Sequence, residues 1–108
     1  MSQVSESATS YRVIDALDHP HGGRILRLRL RQGKALTAGK LKSGSLVAAS
    51  PEGEELPVRV KGFALFGGRP ADSRLARTGR VDVRVAGEGT KKVDVGWLVR
   101  AAQQSVGS

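Results

Sequence analysis

Polar and apolar residues alternate strictly over several short stretches. In RILRLRLR, Arg24 to Arg31, Leu26, Leu28 and Leu30 fall on one face and Arg27, Arg29 and Arg31 on the other. A period of two predicts a half-buried strand; wound as a helix, the segment would scatter its arginines around the axis. RVDVRVA, Arg80 to Ala86, repeats the pattern with Val81, Val83 and Val85 inward. PVRVKGFALF, Pro57 to Phe66, places Val58 and Val60 inward and Arg59 and Lys61 outward, until Gly62 interrupts it where a bulge or bend is expected. Shorter strands are predicted over Tyr11 to Leu17, Leu46 to Ala49 and Val93 to Val99.

Turn chemistry separates these segments. DHPHGG follows the first strand, SPEGEEL predicts a hairpin around Gly53, and GEGTKK precedes the last strand. Gln32 to Ser45 reads as a glycine-punctuated connection. Gly67 to Thr78 reads as a polar loop with room for one helical turn around Ala71 to Leu75. About six strands with almost no helix predict an all-β antiparallel sandwich or barrel. By face, the core is expected to hold Val13, Leu26, Leu28, Leu30, Leu46, Val58, Val60, Phe63, Leu65, Val81, Val83, Val85, Val93, Val95 and Leu98. Trp97 and Phe66 are expected in the core as well, and Tyr11 is the aromatic expected to be accessible.

At 108 residues the chain is the size of one domain. Residues 1–10 are polar and serine-rich and read as a disordered lead, 11–101 as the domain, and 102–108 as a disordered tail. The first ten residues lack the basic and apolar regions of a secretory signal, and no apolar run reaches the ~18 residues of a membrane span, so a cytoplasmic protein is expected. Cysteine is absent, which excludes disulfides, thiolate metal sites and a cysteine nucleophile.

Charge changes the picture most. Eighteen Lys and Arg against ten Asp and Glu give +8, and twelve of the eighteen are arginine. From Arg24 to Lys42 there are seven basic residues and no acidic one. Arginine's planar fork matches phosphate, so this bias points to a polyanion. The ridge Arg27, Arg29, Arg31 spaces its charges ~6.6 Å apart along one strand. Arg59, Lys61, Arg80 and Arg84 lie outward on other strands and would extend it into a basic wall if those strands are neighbours. Asp82, also outward, would interrupt that wall.

Catalytic motifs are weak or broken. Gly33 to Lys40, GKALTAGK, has five residues between its glycines where a phosphate loop has four, and Leu41 stands in place of the magnesium-binding Ser or Thr. Gly87-Glu88-Gly89 reads as a turn, without the following helix that a dinucleotide site uses. His19 and His21 flank Pro20 with too few partners for a closed metal site. Asp15, Asp18, Asp82 and Asp94 are scattered. Neither a cofactor, a metal nor an enzymatic activity is expected.

The order of segments resembles the second domain of the translational GTPases, typified by elongation factor Tu. The matching features are Tyr11, Ile14-Asp15, Gly22-Gly23-Arg24, the strand Arg24 to Arg31, and Gly39-Lys40-Leu41-Lys42-Ser43-Gly44. Val60-Lys61-Gly62-Phe63-Ala64-Leu65-Phe66, Thr78-Gly79 and Val93 to Val99 continue the series. The resemblance implies a closed or nearly closed six-stranded antiparallel barrel of translation-protein type. It also implies contact with RNA, rRNA or tRNA, and with a protein partner such as a GTPase or the ribosome. The family's pocket glutamate, asparagine and aromatic fall on Ala64, on Arg80 and Val81, and on Leu17. The resemblance therefore carries over the barrel and its charge, and not the pocket for an aminoacyl-tRNA end. The expected function is a non-catalytic RNA-binding module using Arg27, Arg29 and Arg31, extended by Lys40, Lys42, Arg59 and Lys61. The alternative is a protein-interaction domain with an apolar patch drawn from Leu17, Leu36, Phe66 and Leu75.

Overall fold

The computed structural model describes residues 9–20, 22–43, 45–63, 71–87 and 89–101. Six strands run β1 (Ser10–Asp18), β2 (Arg24–Gln32), β3 (Leu46–Ala49), β4 (Glu55–Phe63), β5 (Arg80–Ala86) and β6 (Leu98–Ala101). They close into an antiparallel barrel in the order β1-β2-β5-β4-β3-β6. Closure leaves no strand edge to pair with another chain. Val13, Leu26, Leu28, Val58, Val60, Val83 and Val85 fill the interior, as their alternation requires. Two bulges adjust the walls. Val60 faces Val85 while Gly62 faces Arg84, so Lys61 is the extra residue; on β1 the extra residue is Ile14, between Val13 and Asp15.

Two short helices are present: α1 (Ala38–Ser43), which was not expected, and α2 (Asp72–Thr78), which extends the turn expected around Ala71 to Leu75. Both lie in connections at the same end of the barrel, β2 to β3 and β4 to β5. An open barrel end exposes apolar interior, and each helix turns one apolar side into it: Ala38 and Leu41 from α1, Leu75 from α2, all buried. Asp72 ties the two together, its Oδ1 accepting the Ala38 amide at 2.8 Å. The spacing Ala38, Leu41 is too short to register as a helical period, so only the turn near Leu75 was legible in the chain.

The sixth strand is shorter than predicted; Val93 and Trp97 are buried as expected, while Val95 and Leu98 are not. Thr90–Lys92 forms a 3₁₀ turn after the GEG segment, and Asp94 to Trp97 turns again, with the Trp97 amide donating to the Asp94 carbonyl at 3.1 Å. Gly96 takes φ 96°, which L-residues disfavour, and there the chain changes direction. The alternation restarts after it, so Trp97 and Val99 are buried, Leu98 is half-buried and Val95 is 55% exposed. Leu30 and Phe63, also expected in the core, are partly buried and packed against it. The lead is shorter too: Ser10 belongs to β1 and Thr9 is buried. His21, Ala64, Leu65, Phe66, Glu88 and both termini lie outside the described residues.

Tyr11 is buried, at 2% exposure, contrary to expectation. It shares the inward parity of Val13, and its hydroxyl accepts the Leu36 amide at 2.8 Å. Burial raises the phenol above its ordinary value of 10.0, with the Leu36 bond pulling the other way. As pH rises the unfolded chain therefore loses this proton first, so Tyr11's contribution to stability is complete below about pH 10 and declines above it. Tyr11→Phe is expected to lower stability by about 1 kcal/mol at neutral pH, because the Leu36 N–H loses its partner, and to reduce the alkaline decline. Urea unfolding of both proteins across neutral and alkaline pH measures both effects.

Candidate nucleic-acid interface

β2 lies between β1 and β5, and this arrangement gives its outward arginines their neighbours. Arg27 faces Asp15 on β1 and Asp82 on β5. Its Nε donates to Asp82 Oδ1 at 3.2 Å and its Nη2 to Oδ2 at 3.4 Å. The hydrogen bond to Asp82 and that carboxylate's charge raise the guanidinium pKa further. Arg27 is thus largely satisfied within the barrel, and Asp82 interrupts the basic wall as its position predicted.

One row along, the arrangement is different. Arg29 faces Arg12 on β1 and Arg80 on β5, and all three are exposed. At a strand spacing of ~4.8 Å, three guanidinium-bearing positions fall within about 10 Å across the sheet. Like charges directly opposite one another destabilise a sheet. Among the described residues no ion pair engages any of the three; the pairs formed involve Arg24, Arg27, Lys92 and Arg100. A row of cations held side by side without a carboxylate is suited to an external anion.

α2 adds to this row. A groove of about 550 Å³ runs between α2 and the β2–β5 wall. Arg27, Arg29, Arg74 and Arg80 line it together with one carboxylate, Asp82, over a partly apolar floor that includes Leu75 and Val81. On the other side of the row, Arg31 is the extra residue where Ser10 faces Gln32 and Tyr11 faces Leu30. It lines a groove of about 310 Å³ with Arg12 and Leu98. Arg12, Arg29, Arg31, Arg74 and Arg80 therefore form one basic surface.

The remaining expected residues do not join it. Arg59 and Lys61 are exposed on β4 and line a separate groove of about 460 Å³ with Pro57, Ala86 and Gly87. Arg59 faces Ala86, six residues along β5 from Arg80, or about 20 Å at a strand's rise. Lys40 and Lys42 are exposed on α1, and Lys40 lines a fourth groove with Lys34. Arg84 is half-buried, not fully outward. Arg12 and Arg74 were missed. Arg12 was within reach, since it alternates with Tyr11 and Val13 and the DHPHGG turn makes β1 and β2 neighbours. Arg74 was not, since nothing local places α2 beside β2.

Charge is also divided along the barrel axis. The connections at the helix-bearing end carry Lys34, Lys40, Lys42, Arg74 and Arg77 against Asp72 alone among the described residues. The opposite end carries Asp18, Glu52, Glu54, Glu55 and Asp94 together with Arg24, Lys91 and Lys92. There Arg24 is structural: its Nε donates to the Val93 carbonyl at 2.9 Å and its Nη1 to Asp18 at 2.6 Å. The apolar patch imagined for a protein partner does not assemble. Leu17 is 55% exposed, but Leu75 is buried, Leu36 is packed against the core, and Phe66 lies outside the described residues.

Among the described residues, no three His, Asp or Glu side chains group as a metal site would need, and no helix is long and apolar enough to cross a membrane. No protein-family model matches the chain, and no curated protein matches it.

Proposed function

We propose that the protein is a non-catalytic RNA-binding barrel, associated with the ribosome or with tRNA. In this reading it is similar to the second domain of the translational GTPases and works beside a separate GTPase or the ribosome. The observation that carries the reading is the unpaired row Arg12, Arg29, Arg80. The row costs the fold like-charge repulsion that no ion pair among the described residues offsets, and a phosphate backbone would relieve it. The segment order and the closed barrel are what the resemblance contributes. The five-arginine surface refines the footprint expected from β2 alone: Arg12, Arg74 and Arg80 join Arg29 and Arg31, while Arg27 is held by Asp82.

Binding of this kind is sequence-tolerant and salt-sensitive, because each neutralised phosphate releases counterions. Fluorescence anisotropy of labelled tRNA, titrated with protein across increasing salt, tests it. About four phosphate contacts give a log–log slope near −3 to −4, at ~0.7–0.9 per phosphate. Absence of binding at the lowest salt, or binding indifferent to salt, would overturn the proposal.

A further inference from the structure

We infer that the RNA bound is double-helical, and that the barrel meets the phosphates of a stem with two separate cationic clusters rather than threading a single strand. The inference rests on the RNA-binding reading above and adds the form of the ligand.

The first ground is the aromatic side chains. Single-strand binders stack bases on exposed rings, which supplies much of their affinity and keeps the strand extended. Here Tyr11 and Trp97 are buried at 2% and 8% exposure, and Phe63 is partly buried against the core. The described surface offers an unstacked base cations but no exposed ring. A duplex keeps its bases stacked internally and presents phosphates, which is what this surface can contact.

The second ground is the placement of charge. One cluster lies on the wall, where Arg12, Arg29 and Arg80 span adjacent strands and Arg74 leans in from α2. The other lies at the barrel end, where Lys34, Lys40 and Lys42 sit on the connection between β2 and β3. Among the described residues the two clusters line different grooves, although Arg12 does not line the first and Lys42 does not line the second. A flexible strand tracks a continuous basic groove, whereas two cation clusters on a rigid convex body match phosphate rows on either side of a duplex groove. Strands and helices fix the geometry on the protein side, and the base-paired stem fixes it on the other. At the opposite end Arg24 and Lys92 are held in ion pairs with Asp18, Asp94 and Glu54, which makes that end less suited to an inverted mode.

The test is a competition at fixed salt. A labelled RNA hairpin with a stem of ~16 base pairs, enough for two successive minor grooves, is displaced by unlabelled stem or by an unpaired strand of equal nucleotide count. The stem is expected to compete about ten times more effectively. Lys40→Ala with Lys42→Ala should lower stem affinity several-fold and leave the weaker single-strand affinity nearly unchanged. A single strand that competes as well as the stem overturns the inference while leaving the RNA-binding proposal standing. If neither RNA binds, both fall.

Discussion

Alanine at Arg12, Arg29 and Arg80 together is expected to weaken RNA binding about 100-fold, taking ~1 kcal/mol for each exposed, salt-screened phosphate contact. The salt slope should flatten by about 2 to 3, near one unit per lost contact. The triple variant should remain folded, because the three side chains are exposed and their mutual repulsion disappears with them. Arg59→Ala with Lys61→Ala removes two charges of the same sign from a different groove. It should change affinity less than ~3-fold, since only the long-range field is lost. The comparison separates a placed site from net charge: if both variants weaken binding in proportion to charge removed, the row has no special role. Binding by a folded triple variant at the level of the parent protein would dismiss the row altogether.

The second large effect is on stability. Gly23 takes φ 80°, and a Cβ built there would stand 2.4 Å from the Val85 carbonyl oxygen. That oxygen belongs to the backbone of β5, which cannot rotate away as a side chain could. Gly23→Ala therefore combines a disfavoured backbone conformation, about 1–2 kcal/mol, with overpacking, about 1–3 kcal/mol. Against the 5–15 kcal/mol typical of small domains, a loss of ~2–5 kcal/mol threatens folding itself. Gly22 supplies the control. Its φ is 101°, yet nothing lies within 4 Å of its would-be Cβ, so Gly22→Ala should show the conformational part alone. Thermal unfolding should place Gly23→Ala well below Gly22→Ala; equal melting temperatures would mean that β2 and β5 do not approach as closely as described.

Local chemistry made the strands legible and left the ends of the barrel obscure. Arg24 to Arg31 and Arg80 to Ala86 alternate without interruption, so their faces followed from period two alone. Gly62 announced its bulge by breaking that period. The sixth strand failed for the opposite reason. Val93, Trp97 and Val99 keep one inward parity, but the turn from Asp94 to Trp97 swings Val95 out to solvent, and a turn inside an apolar segment has no signature in the hydrophobic pattern. The helices failed because each contributes only one or two buried residues, too few to reveal a period of 3.6.

The interface shows the same division between near and distant in sequence. Arg29 and Arg31 were evident from one strand. Arg12 required the pairing of β1 with β2, which the intervening turn implies. Arg80 and Arg74 required β5 to pair with β2 and α2 to lie over both, and that is long-range topology. Arg59 and Lys61 have the right charge and the right outward parity, yet β5 separates their strand from β2. Charge and face could nominate residues; only the strand order could group them.

The most direct test is to observe which backbone amides respond to RNA. In a ¹⁵N-labelled sample titrated with an RNA stem at low salt, the largest chemical-shift changes are predicted at Arg12, Arg29, Arg31, Arg74 and Arg80, with smaller ones at Lys34, Lys40 and Lys42. The β1–β2 turn around Asp18 and Gly22 should stay unmoved. Shifts concentrated instead at Arg59 and Lys61, or spread evenly over every exposed cation, would contradict the account.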